Sequence, residues 1–207
     1  VTAFALALGL AFGYTALACG AIFASKRACR GIVSFDDGPR AGKPPEVALL
    51  AIAACVGAVL AWHHTSARAL VLSAILTASL VACCYSDVLV GIVPDRFTLL
   101  PLAAVLADAA IFRDAGPAIS CLVVLAPFAL AAWVSGGRGM GWGDVKLVAL
   151  IAAVLGIETS IVAFSAACLV AAGIAFARRR QAEPIAFVPY LAGSAALALA
   201  LPLPRAL

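Results

Sequence analysis

The chain has 207 residues, 65% of them hydrophobic and only 12% charged, with a formal net charge of +4. Soluble domains carry about 25% charged and about 45–50% apolar residues, so an ordinary soluble globule is excluded. A transmembrane β-barrel is excluded as well, because no ~10-residue segments alternate apolar with polar residues.

The apolar residues instead form runs of roughly 16–24 residues between short polar breaks, the pattern of membrane-spanning helices. In chain order the predicted helices fall at 1–25, 47–62, 67–86, 97–112, 115–134, 145–157, 160–177 and 185–203. The expected fold is an all-α polytopic bundle of about eight transmembrane helices. The first run has no positive stretch before it and is followed by Lys26 and Arg27, so it reads as a retained helix rather than a signal peptide. The runs at 47–62, 97–112 and 145–157 are short for a ~30 Å hydrocarbon core and should extend into flanking residues or sit where the bilayer thins. Two parts are expected: a two-helix segment, 1–66, with a short cytoplasmic loop from Lys26 to Glu46, and a second unit, 67–207.

Charge orients the bundle. If the first helix enters from outside, eleven of the 14 basic residues share one side: Lys26, Arg27, Arg30, Arg40, Lys43, Arg96, Arg138, Lys146, Arg178, Arg179 and Arg180. Arg68, Arg113 and Arg205 take the other. The positive-inside rule makes the first side cytoplasmic and puts both chain ends outside. Orientation accounts for the net charge, and no nucleic-acid partner is implied. The seven cysteines form no C-x-x-C pair and mostly lie in apolar runs, so buried, inert thiols are expected. His63 and His64 read as part of an interfacial loop rather than a metal site.

Two polar islands interrupt the apolar chain. The first runs from Asp87 to Pro94 and Asp95; Pro94 should stop the preceding helix and Asp95 should cap the next. The second carries Gly136, Gly137, Gly139, Gly141 and Gly143 ahead of Asp144 and Lys146. Asp144 could serve there as a helix N-cap on a flexible loop. No G-x-x-x-x-G-K-[ST] pattern accompanies these glycines, so a nucleotide is not expected. A carboxylate at the edge of a membrane run is costly, which makes Asp87 and Asp144 functional candidates. Helix parity puts both on the cytoplasmic side. Two carboxylates sharing a site do not ionise together easily, so one keeps its proton while the other can activate water against an amide. The glycines would let an extended substrate strand lie along the backbone.

At these residues the chain resembles the prepilin peptidases, membrane aspartyl proteases of the GxGD type. The resemblance rests on Asp87 with Pro94 and Asp95 following, on Gly141-Trp142-Gly143-Asp144-Val145-Lys146-Leu147 with Gly156 downstream, and on a looser match from Ile185 to Gly193. It covers roughly residues 67–203 and implies removal of a short basic leader from type IV prepilin or pseudopilin-like precursors at the cytoplasmic face of the bacterial inner membrane. Asp87 and Asp144 would be the catalytic pair. Gly141, Gly143, Lys146, Pro94 and Asp95 would support them or bind substrate. The partners implied are the precursors and the lipid bilayer, with no cofactor. Bifunctional relatives carry two C-x-x-C pairs in an N-terminal insertion and also N-methylate the product. Here the loop from Lys26 to Glu46 holds only Cys29, too few thiolates for a Cys₄ zinc site, so neither zinc nor methylation is expected. The other readings of the same acids are a GxGD protease cutting within membrane helices and a proton- or cation-coupled transporter.

Overall fold

The computed structural model describes residues 2–30, 46–63, 66–136, 141–177 and 187–200. Among them there are eight α-helices and no strand: α1 (Thr2–Arg30), α2 (Glu46–Trp62), α3 (Ala67–Val90), α4 (Leu99–Ile111), α5 (Gly116–Val134), α6 (Trp142–Leu155), α7 (Ile157–Ala177) and α8 (Val188–Ala200). The eight apolar runs correspond to these helices one for one. Helices suit such a chain because hydrocarbon offers no partner to a bare backbone N–H or C=O. Four stretches are long and apolar enough to cross a membrane: Phe4–Cys29, Ala67–Val90, Gly116–Val134 and Ile157–Ile174. The fold is an all-α membrane helix bundle, although α4, α6 and α8 are only 13, 14 and 13 residues long.

The bundle is built around α6. Every residue from Leu147 to Leu155 is buried, as is Val145. A helix apolar on all sides belongs in an interior, and α3, α4, α5, α7 and α8 all pack against this one. The C-terminal half of α3 is the second buried stretch, with Ser79 through Ser86 all enclosed. Outer helices turn large apolar side chains outward instead, among them Phe12 and Phe23 on α1, Leu122 and Leu130 on α5, and Leu169 on α7. Lipid is the solvent such faces fit. Cys29, Cys83, Cys84 and Cys121 are buried as expected, but Cys19, Cys55 and Cys168 face outward on the rim helices. An apolar run does not reveal which of its faces meets lipid.

Polar contacts tie α1 and α2 to α3. The Tyr14 hydroxyl donates to the Leu70 carbonyl at 2.9 Å and pairs with Ser73 Oγ at 2.8 Å. Ser25 Oγ donates to the Ala82 carbonyl at 3.1 Å. Lys26 Nζ lies 2.8 Å from Glu46 Oε1, which also accepts from the Tyr85 hydroxyl at 3.3 Å. At the opposite end of α3, Arg68 Nε meets Asp108 Oδ2 at 2.8 Å, and its Nη2 meets Asp114 Oδ2 at 3.3 Å. The guanidinium also lies over the Phe112 ring. The bundle therefore has two distinct polar ends, one at the start of α3 and one at its finish.

Helices α1 and α2 come together at Gly57, where a Cβ would stand 2.6 Å from the Leu10 carbonyl oxygen. Small residues permit such backbone approach between membrane helices. Gly57→Val is expected to destabilise the fold by about 1–3 kcal/mol, because the clash is with backbone that cannot step aside. A melting temperature in detergent equal to that of the wild type would show that the two helices do not meet there.

Candidate active site

Asp87 lies within the last turn of α3, which runs four residues beyond its expected end at 86. Gly91 closes the helix in the left-handed region, with φ 70°, and its N–H donates to the Asp87 carbonyl at 2.8 Å. Glycine takes this conformation without a Cβ penalty. Gly91 rather than Pro94 therefore ends the helix. Pro94 is extended, with φ −68° and ψ 133°, and leads into a 3₁₀ turn over Asp95–Phe97. The Phe97 N–H donates to the Pro94 carbonyl at 3.0 Å, and the Thr98 N–H to the Asp95 carbonyl at 3.1 Å. Asp95 makes no side-chain cap to either following helix. The expectation that it caps α4 is corrected: its carboxylate is engaged elsewhere.

The second island opens α6. Gly141 is the N-cap, and Asp144 stands three residues in, so the expectation of Asp144 as N-cap is corrected too. The Gly141 N–H donates back to the Asp144 carboxylate, the returning half of a capping box. Asp144 lies ahead of the apolar stretch 145–155 and outside the four long apolar helices. Burial raises its carboxyl above the usual carboxylate range, and the Gly141 N–H opposes this less strongly. Gly139 and Met140 lie outside the described residues, as do His64, Ile185 and Ala186. Val188 and Leu191 of the looser third match are buried in the first turn of α8.

Two contacts draw the islands together. A Cβ on Gly143 would come within 2.8 Å of Val93 Cβ, so the segment after α3 lies directly on the first turn of α6. Lys146 Nζ reaches Asp95 Oδ1 at 2.6 Å. Cys83, one turn before Asp87 on α3, has its Sγ 3.9 Å from the Phe97 carbonyl. Asp87 Oδ2 is buried. Sequence reasoning missed Cys83, Val93 and Phe97. The position of Cys83 four residues before Asp87, on the same helical face, was the one available signal. No group of three or more His, Cys, Asp or Glu side chains among the described residues could hold a metal ion.

This arrangement places Asp144, half-buried at a helix N-terminus, and Asp87, in the last turn of α3, on segments that meet where Val93 packs on Gly143. A carboxyl whose folded value is raised binds its proton more tightly in the native state. Between its unfolded value, about 3.9, and the raised one, stability therefore falls as pH rises. Asp144→Asn is expected to be more stable than the wild type at neutral pH, with the difference closing below about pH 4. Thermal melts in detergent across pH check this; a wild type more stable than the variant at neutral pH would contradict it.

Residues 74–176, about half of the chain, match the type IV leader peptidase family, and both aspartates lie within that stretch. The chain is also 32% identical over 152 residues to the prepilin leader peptidase/N-methyltransferase of Dichelobacter nodosus, covering 68% of this chain and 52% of that protein. The chain thus spans about half the length of the curated relative it matches. No solved structure matches it significantly. With both islands inside the matched stretch, the chain belongs to the type IV leader peptidase family.

Proposed function

We propose that this chain is a membrane aspartyl endopeptidase that removes the short basic leader from type IV prepilin or pseudopilin-like precursors. The observation that carries the reading is the close approach of the two polar islands, Val93 on Gly143 and Lys146 on Asp95, within the stretch that matches the family. Asp144 has the raised proton affinity expected of the acid, and Asp87 serves as the base. Asp87 takes a proton from water as the oxygen attacks the scissile carbonyl. Asp144 gives its proton to the carbonyl oxygen. Collapse of the tetrahedral intermediate then breaks the C–N bond, and the leaving amine takes up a proton from the pair.

The site is assigned to the cytoplasmic edge of the bacterial inner membrane, with both chain ends outside. Charge asymmetry supports that orientation. Trp133 and Trp142, both more than half exposed, lie near this end of the bundle, and exposed tryptophans favour the headgroup level. Residues 67–207 are taken as the peptidase unit. Residues 1–66 brace α3 through Tyr14, Ser25 and Glu46. Methylation is not assigned, because the segment from Lys26 to Glu46 supplies a single cysteine.

Co-expression with a tagged precursor tests the assignment. Wild type is expected to shorten the precursor, while Asp87→Ala and Asp144→Ala, present at normal levels in the membrane, leave it full length. Leader removal that persists in either variant would contradict the paired mechanism.

A further inference from the structure

We infer that Asp95 and Lys146 act as a pair of positioning residues, an ionic clamp that holds the segment 91–97 across the first turn of α6 and thereby sets the approach of Asp87 to Asp144. The inference rests on the reading of those two carboxylates as the working pair. The ion pair, 2.6 Å long, joins residues 51 positions apart, one from each polar island. Lys146 is two residues beyond Asp144 on α6, and Asp95 is eight beyond Asp87 on the strap that leaves α3.

The strap is pinned at two other points. Val93 packs on Gly143, leaving no room for a Cβ, and the Phe97 carbonyl faces Cys83 Sγ on α3. Between these lies the Asp95–Phe97 turn, whose local hydrogen bonds do not fix where the turn sits relative to α6. The apolar contact of Val93 resists separation but is undirected. The ion pair has direction, and it alone joins the turn to α6 through a charged contact among the described residues. Its exposure also decides its magnitude: Asp95 is 61% and Lys146 33% exposed at the side chain. A pair this open to solvent contributes little to overall stability and is weakened by salt. Its effect should therefore register in the geometry of the site rather than in the melting temperature.

The experiment uses the full chain in membranes with a tagged precursor. Asp95→Asn and Lys146→Gln are compared with wild type and with the exchanged pair, Asp95→Lys with Lys146→Asp. Each single change is expected to lower kcat by up to about fivefold with KM little altered, and the exchanged pair to recover most of the loss. Raising the salt concentration should slow wild type and the exchanged pair but not the single variants. Hydrogen exchange at the Phe97 and Thr98 amides gives a readout independent of cleavage: faster in both single variants, slow again in the exchanged pair. Singles indistinguishable from wild type in kcat and exchange, or an exchanged pair as impaired as the worse single, would overturn the clamp. Asp87→Ala and Asp144→Ala run alongside; cleavage persisting in them overturns the catalytic pair, while the exchange data still judge the clamp.

Discussion

The contact between Gly143 and Val93 is the constraint on which the site depends. Any side chain at 143 would meet Val93 Cβ at 2.8 Å, so the strap after α3 can lie on α6 only because the first turn of the helix carries a residue that has no Cβ. The immediate neighbours follow from that approach. Lys146 comes opposite Asp95, and the first turn of α6, with Asp144, is held beside the last turn of α3, with Asp87. The burial of α6 from Leu147 to Leu155 makes the arrangement stiff, because this helix cannot shift without disturbing five others.

Electrostatics at this end are a contest between a helix terminus and an apolar bundle. The N-terminus of α6 offers a positive dipole and the Gly141 N–H, both of which favour a charged carboxylate. Burial disfavours it, and burial wins. A carboxyl that holds its proton beyond the usual range is what the proposed hydrolysis asks of its acid. The far end of the bundle shows the contrasting use of acids. There Asp108 and Asp114 both face Arg68, so one guanidinium serves two carboxylates and ties α3 to α4 and to the connection that follows it.

Much of the fold was legible because the bilayer makes hydropathy a direct signal: eight apolar runs became eight helices. Parity along those runs was enough to expect Asp87 and Asp144 at one end. The orientation of each helix was not legible. Lipid is as apolar as a protein core, so α5, on the rim, and the enclosed stretch of α6 from Leu147 to Leu155 are alike in being apolar. That is why the outward Cys19, Cys55 and Cys168 were not distinguished from the buried ones. The caps were misread for a related reason. Asp95 and Asp144 both stand where a capping acid would be expected, but Thr98 and Gly141 hold the N-cap positions of α4 and α6 and leave the two acids to other partners. The ion pair between Asp95 and Lys146 depends on a close approach that no local pattern encodes.

The central claim is that the two polar islands form one site. Cysteine cross-linking in membranes tests it most directly. The native cysteines are replaced, and new ones are introduced at 87 and 144, or at 108 and 144 as a control spanning opposite ends. Oxidation or a short bis-thiol reagent should join 87 to 144 and leave 108 and 144 unlinked. Failure to link 87 to 144, or equal linking in the control, would contradict the account.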